Sequence, residues 1–141
     1  MLYKGYVETK GKASIEKLKN RTTWKTYDEV KNLNGFGGVL ADDTILIDID
    51  DSDQSEILMN IVEELQLDCK VLCTSRGKHF LFKNHTIARN RTHVQLAVGL
   101  TADIKVGSKL SYEVIKIDGE ERFCEWDIDC LLYTSDAADD L

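Results

Sequence analysis

The sequence predicts one domain of the mixed α/β (α+β) class, with more strands than helices. Short apolar runs alternate with clusters of Gly, Asn and Asp, a spacing typical of strands joined by turns. One segment instead repeats apolar residues at helical spacing, at Ile57, Leu58, Ile61, Val62 and Leu65. With 141 residues, 43% of them hydrophobic, the chain is long enough for one compact core and too short for two.

The remaining elements follow in chain order. Tyr27, Val30 and Leu33 lie three residues apart and predict a short helix, which the glycines of 35–38 end. The dipeptide Asp118-Gly119 is a hairpin turn signal and predicts that the last two strands pair with each other. Strands are predicted at 38–40, 44–50, 71–75, 79–83, 93–98, 102–106, 112–117 and 122–126.

Several classes of protein are disfavoured by composition. No apolar run approaches the ~20 residues of a membrane-spanning helix, and the start of the chain lacks the apolar segment of a secretory signal. We therefore expect a cytoplasmic protein with no membrane partner. The four cysteines show neither CxxC pairs nor regular spacing, which argues against a zinc knuckle or a disulfide framework; they are Cys69, Cys73, Cys124 and Cys130.

The net charge of −7 is unevenly distributed along the chain. Residues 41–69 contain ten acids and no Lys or Arg, whereas residues 70–109 contain eight basic residues and the single acid Asp103. The first forty residues add eight basic and four acidic side chains. An acidic centre between basic segments suits a protein that binds cations and attracts phosphates, although ordinary solvated surface produces the same composition.

The apolar strand around Ile47 ends in carboxylates. Because side chains alternate along a strand, Asp48 and Asp50 project from the same face, roughly 6.6 Å apart at the backbone. Two carboxylates in one small volume repel each other, and a bound divalent cation turns that repulsion into attraction. The pattern therefore predicts part of a site for a hard metal ion.

A second chemical motif is the predicted hairpin at 74–80. Gly77 permits a positive φ and close backbone approach, Arg76 and Lys78 are predicted to supply cations at the tip, and Ser75 and His79 lie on either side. Such a cluster suits a triphosphate, whose oxygens accept charge-assisted hydrogen bonds. The alternative interpretation is a solvated hairpin with a packed histidine.

Asp103 is the one acid of an otherwise basic segment. A cap, a salt bridge or a functional site each explains an acid at such a position. Together with Asp48 and Asp50 it completes a set of three carboxylates, enough to hold two metal ions about 3.5–4 Å apart for in-line attack at phosphorus. Lys105 lies two residues further on and adds a cation.

The three motifs occur in the order of a known family. They are an Asp-x-Asp strand end, a Ser-x-Gly-x-His hairpin and a later strand bearing Asp, with the residues Asp48, Asp50, Ser75, Gly77, His79 and Asp103. Over roughly Gly35 to Trp126, this order and spacing resemble the archaeo-eukaryotic primase superfamily. The closest form is the bifunctional primase-polymerase (PrimPol) branch of phage and plasmid replication proteins.

The resemblance implies a fold and a function. The fold would be an RRM-like central sheet flanked by helices, with a small N-terminal α/β extension, and residues 1–129 would be the primase-polymerase domain. The activity would be template-dependent nucleotidyl transfer by a DNA primase and DNA polymerase. The partners would be a single-stranded DNA template, nucleoside triphosphates and a helicase domain or subunit beyond this chain.

Functional residues follow from the same resemblance. Asp48, Asp50 and Asp103 would hold two Mg²⁺ or Mn²⁺ ions, while His79, helped by Ser75, would contact the phosphates of the incoming nucleotide. The nucleotide-binding roles of three further residues rest on charge and location only; these are Arg76, Lys78 and Lys105.

Two other functions use part of the same pattern. A metal-dependent nuclease would use the same acids, and a non-catalytic RRM-like module would bind nucleic acid without them. A nuclease has no special need of the Ser-x-Gly-x-His hairpin, and a binding module has no need of Asp-x-Asp at a strand end. The two motifs together therefore favour the polymerase.

The last twelve residues, 130–141, differ from the rest of the chain. They resemble the translated read-through of a sequencing-library adapter, joined to a truncated metagenomic open reading frame. Residues 135–140 contain three acids, two alanines and no large apolar side chain, so they have little to bury in return for ordering. We expect this tail to have no role in the metal site.

Overall fold

The computed structural model describes residues 1–83, 90–97 and 100–127. In chain order its elements are β1 Tyr3–Lys10, β2 Ala13–Ser14, α1 Tyr27–Val30, β3 Phe36–Leu40, β4 Thr44–Ile49, α2 Ser52–Leu65, β5 Lys70–Cys73, β6 Lys78–Lys83, β7 Arg91–Ala97, β8 Leu100–Val106, a 3-10 turn Gly107–Lys109, β9 Tyr112–Ile117, β10 Glu120–Glu121 and β11 Cys124–Asp127. The mixed α+β class is confirmed. The expected tail at 130–141, with Cys130, lies outside the described residues.

The strands form two antiparallel sheets. The larger has six strands in the order β11, β5, β6, β4, β8, β7, and the smaller has five in the order β10, β9, β3, β1, β2. Helix α2 packs on one face of the larger sheet, where Met59 and Val62 join a buried cluster with Ile49 and Phe80. On the opposite face, Leu46 and its neighbours pack against the smaller sheet through Tyr3 and Leu40.

The centre of the larger sheet contains a βαβ unit formed by β4, α2 and β5. Helix α2 leads from β4 to β5. Strand β6 lies between these two strands and pairs antiparallel with both, so β5 runs parallel to β4. The helix begins because Asp51 caps it: the Asp51 carboxylate accepts from the Gln54 amide at 2.9 Å. No helix among residues 1–83, 90–97 and 100–127 is long and apolar enough to cross a membrane.

The predicted apolar face of α2 is buried only in part: Val62 lies in the core and Leu58 packs against it. Apolar residues occupy two adjacent stripes of this helix, and the sheet covers the stripe that contains Met59 and Val62. The other stripe, Ile57, Ile61 and Leu65, stays on the outside with exposed fractions of 50%, 38% and 64%. Periodicity alone predicted one wide face because it does not distinguish two neighbouring stripes.

Two strand predictions are also corrected. Strand β1 was not predicted, because its polar residues interrupt the apolar alternation, yet it pairs with β3 over most of its length. The turn Asp118-Gly119 does form a hairpin, with positive φ at both residues, but it joins β9 to the two-residue strand β10. Strand β11 crosses to the other sheet and pairs with β5.

The N-terminal segment does not form an extension of its own. Strand β3 lies between β1 and β9, so the smaller sheet combines the start of the chain with strands that follow β8. The predicted α/β extension is therefore part of a sheet that packs on the larger one. This arrangement places residues of β9 next to residues of β4 and β6.

Candidate nucleotide and metal site

Three of the predicted site residues form one row across the larger sheet. In the pairing of β4 with its two neighbours, Asp48 lies opposite His79 of β6 and opposite Asp103 of β8. Directly paired residues of antiparallel strands project from the same face. All three side chains therefore lie on the face turned away from α2.

A cavity of about 380 Å³ opens on this row. Asp48 and His79 form part of its wall, and Lys105 of β8 lies beside them. Lys12 and Arg122 complete the charged lining, and neither was predicted from the sequence. The cavity thus places three cationic side chains within reach of one carboxylate and one imidazole.

The imidazole of His79 lies between two carboxylates. Its Nδ1 is 2.9 Å from Oε2 of Glu113 on β9, and its Nε2 is 3.4 Å from Oδ1 of Asp48. Burial disfavours the protonated ring, but the hydrogen bonds and charges of Asp48 and Glu113 outweigh burial, so the pKa of His79 is raised above its ordinary value. The two carboxylates therefore stabilise the protonated ring relative to that of a free histidine.

Asp48 is held in the ionised state. Burial raises the pKa of its carboxyl, but the hydrogen bond to His79 and the charges of His79, Lys105 and Arg122 outweigh that effect and lower it. The guanidinium of Arg122 is itself half-buried, which lowers its pKa against the attraction of Glu113 and Asp48. The ionised carboxylate is the form that binds a metal ion.

The third predicted carboxylate, Asp50, is already paired. It follows the last residue of β4, and its Oδ2 accepts from Nη2 of Arg76 at 2.6 Å. A cleft of about 200 Å³ is bordered by Asp48, Asp50 and Asp103. Within the described ranges, no three His, Cys, Asp or Glu side chains meet closely enough to hold a metal ion. The three acids share a cleft without forming a closed ligand set.

Gly77 brings the hairpin between β5 and β6 onto the end of β4. A Cβ atom at Gly77 would lie 1.8 Å from the carbonyl oxygen of Ile49 and 3.0 Å from the amide nitrogen of Asp51. The predicted close approach is thus present, whereas the predicted positive φ is not. The hairpin is closed by Thr74, whose Oγ1 accepts from the Gly77 amide at 3.1 Å.

Lys78 is not at the tip of the hairpin, where it was predicted to be. As the first residue of β6 it lies opposite Ile49, on the α2 face of the sheet. Its side chain is 7% exposed, and its ammonium lies 2.8 Å from Glu56 and 2.5 Å from Glu125. Strand alternation explains this placement, because neighbours such as Lys78 and His79 must point to opposite faces.

Ser75 is also separated from His79. It lines a second cavity of about 530 Å³ together with acidic residues of β10. This cavity shares Lys12 and Arg122 with the first one. The structure therefore places Ser75 near the same cations as His79 but not beside the imidazole.

Glu113 is the main site residue that the sequence interpretation missed. It is an acid inside the apolar strand Tyr112–Ile117, the same signal that identified Asp103. Lys12 lies in the β1–β2 turn and Arg122 in the short connection between β10 and β11, where an isolated basic residue carries no signal of its own. The chain matches no family model, no curated protein and no solved structure.

Proposed function

We propose that this chain is a primase-polymerase domain that transfers nucleotides onto a growing strand along a single-stranded DNA template. The observation that carries the proposal is the row formed by Asp103, Asp48 and His79, next to a cavity lined by cations. Carboxylates on one side and cations on the other suit a metal-bound nucleoside triphosphate. A cytoplasmic location and a helicase partner belong to the same proposal.

The carboxylates would hold two Mg²⁺ or Mn²⁺ ions. Carboxylate oxygens are preferred ligands of both metals, and the donor chemistry of Asp48, Asp50 and Asp103 fits them. When bound, the ions would make the attacking 3′-hydroxyl more acidic and neutralise charge on the departing pyrophosphate. Asp50 is available only when Arg76 turns away, and an exposed ion pair is worth about 1 kcal/mol or less.

The cations of the cavity would bind the triphosphate. Lys105 and Arg122 flank Asp48, and Lys12 reaches the same space from the β1–β2 turn. Charged donors form the strongest hydrogen bonds to phosphate oxygens. His79 would donate from Nε2, since its Nδ1 is already occupied by Glu113. Ser75 and Arg76 would act from the second cavity and the hairpin tip.

Strand order supports the RRM-like fold that this function would require. Strands β5, β6, β4 and β8 are neighbours in that order, and α2 joins β4 to β5 around β6. A βαβ unit with a third strand between its two parallel strands is a split βαβ unit, and the proposed RRM-like fold would be built on it. The described part of the connection from β6 to β8 is strand β7, at the point where such folds have their second helix.

A non-catalytic module that binds nucleotides or nucleic acid is the second candidate. It is favoured by the paired state of the acids, since Asp50 lies against Arg76 and Asp48 against His79. Such a module would use the basic cavity alone. Its binding would not depend on a divalent metal, and it would form no new phosphodiester bond.

The discriminating experiment is an incorporation assay. The chain is incubated with single-stranded DNA, Mn²⁺ and labelled nucleotides, with and without a primer, and products are resolved by length. We expect longer labelled products from the parent and none from Asp48→Asn, with Asp42→Asn as the matched control because Asp42 is 80% exposed beyond the other end of β4. Shortened templates would indicate the nuclease, and nucleotide binding without products would indicate the binding module.

A further inference from the structure

Glu113 is a buried acid outside the three motifs. Its residue exposure is 1%, and its side chain is fully covered by the two sheets. One carboxylate oxygen accepts from the Tyr3 hydroxyl, and the other lies 2.9 Å from Nδ1 of His79. Burying a carboxylate costs folding free energy unless it is paired with other groups and hydrogen-bonded.

We propose that Glu113 is the positioning residue of the site: it fixes the ring of His79 through Nδ1 and leaves Nε2 directed at Asp48 and the cavity. The inference rests on the proposed function, because it assigns His79 the contact with a nucleotide phosphate. A histidine whose Nδ1 hydrogen-bonds to a carboxylate has a defined ring orientation and a fixed proton position. The side chain of Glu113 is fully buried and does not line the cavity.

Tyr3 fixes Glu113 in turn. Burial first, and then the neighbouring charge of Glu113, raises the pKa of the Tyr3 hydroxyl well above its ordinary value, so Tyr3 remains a donor. The ammonium of Lys70 lies 3.5 Å from the same hydroxyl oxygen and 4.8 Å from the ring centroid. One oxygen of Glu113 is therefore bound by the Tyr3 hydroxyl, which Lys70 contacts in turn, and the other oxygen of Glu113 remains for His79.

The geometry also explains why the smaller sheet belongs to the site. Tyr3 lies on β1 and Glu113 on β9, whereas Asp48 and His79 lie on β4 and β6 of the larger sheet. The hydrogen bond between Glu113 and His79 thus joins the two sheets at the cavity. A change in how the sheets pack would rotate the imidazole and alter the ligand contact.

The test is to find which ring nitrogen of His79 carries the proton. Long-range proton–nitrogen NMR spectra of the metal-free protein are recorded at one alkaline pH, and the His79 signals are assigned by their loss in His79→Gln. We expect a protonated Nδ1 in the parent and in Glu113→Gln, whose amide oxygen still accepts. In Glu113→Ala we expect the proton to move to Nε2, toward Asp48.

The kinetic arm uses the same variants in the incorporation assay. Glu113→Ala should raise KM for the nucleotide about 10- to 100-fold, the size of the loss seen when a carboxylate that orients a metal-binding histidine is removed. We expect kcat to change much less and Glu113→Gln to restore most of the loss. Tyr3→Phe, which keeps Glu113 and removes only its support, should give a smaller rise in KM.

The outcomes separate this inference from the proposed function. A parent without incorporation but with a protonated Nδ1 contradicts the function and leaves the positioning of His79 supported. An unprotonated Nδ1 in the parent overturns the inference, and this measurement does not depend on the folding of any Glu113 or Tyr3 variant. A Glu113→Gln variant as impaired in KM as Glu113→Ala would overturn it as well.

Discussion

Asp48 of β4 lies opposite His79 of β6, and its Oδ1 is 3.4 Å from the imidazole Nε2. The pair links the Asp-x-Asp strand to the Ser-x-Gly-x-His hairpin through one contact. On the other side of Asp48 lies Asp103. Motifs far apart in the chain therefore meet in a single row of the sheet.

The first prediction concerns Asp50. Asp50→Asn should reduce nucleotide incorporation more than about 100-fold, because a metal ligand contributes several kcal/mol to the transition state. The free energy of unfolding should change by about 1 kcal/mol or less, since the ion pair with Arg76 is exposed on both sides. Asp43→Asn is the matched control: Asp43 is also an exposed ion-paired acid, and it should retain full incorporation. Equal activity of Asp50→Asn and the parent would contradict the assignment.

Gly77 provides a prediction about packing. Gly77→Ala should destabilise the protein by about 3 kcal/mol, the upper end for overpacking, because its Cβ would overlap with the Ile49 carbonyl oxygen. The control is Gly11→Ala, which has a positive φ but no atom within 4 Å of the new Cβ and should cost only about 1–2 kcal/mol. Chemical denaturation measures both. The close approach would be refuted if Gly77→Ala were the milder of the two.

Lys78 separates a structural role from a phosphate-binding one. Lys78→Met should lower the free energy of unfolding by about 1–3 kcal/mol, because it removes the buried ammonium that Glu56 and Glu125 share, while both carboxylates keep contact with water. Lys83→Met, at the other end of β6, removes an exposed ion pair and should leave Tm within error. Folded Lys78→Met should bind nucleotide as the parent does. Weaker nucleotide binding with unchanged stability would place Lys78 in the site instead.

The orientation of α2 is tested by two alanine substitutions. Met59→Ala should cost about 2–5 kcal/mol because Met59 is 1% exposed in the core. Ile57→Ala should change stability by about 0.5 kcal/mol or less because Ile57 is half exposed. Both values come from denaturant titrations. A larger loss of stability in Ile57→Ala than in Met59→Ala would show that the stripe containing Ile57 faces the core.

Glu16 gives a prediction about pH. Burial raises the pKa of its carboxyl, but the Glu8 amide and the charges of Lys25 and Arg21 outweigh burial and lower it to about 2. A carboxyl with a lowered folded-state pKa contributes stability above its ordinary pKa of 4.5, and loses it as the pH falls toward 2. Glu16→Gln should therefore weaken the fold near neutral pH and flatten the acid limb of the stability profile. An unchanged acid limb would show that these partners do not lower the pKa of Glu16.

The sequence predicted the strands of the site well because their signals are local. Apolar alternation and turn residues located β4 and the β5–β6 hairpin, and the row of Asp48, His79 and Asp103 needs only their pairing. Register between distant strands is not a local property. It depends on which faces become buried, and this is why the strand after Asp118-Gly119 was paired incorrectly.

Side-chain partners were harder to predict than strands. The charge of Lys78 suggested a phosphate-binding role. Because side chains alternate along a strand, however, Lys78 lies on the face opposite to His79, and this could have been inferred from the sequence. Glu113 was not recognisable as a partner of His79, because only the packing of the two sheets brings them together. Residues that support a site across a sheet interface therefore require the structure.

Whether the row of Asp103, Asp48 and His79 binds a metal–nucleotide complex can be measured by titrating the chain with Mn²⁺ in the presence of a nucleoside triphosphate and recording amide NMR spectra. Paramagnetic broadening falls off steeply with distance and locates the ion without a crystal. We expect the amide signals of Asp48, His79 and Asp103 to disappear first, and Asp48→Asn to abolish the effect. Broadening centred on the exposed acids Glu120 and Glu121, or none that depends on the nucleotide, would contradict this expectation.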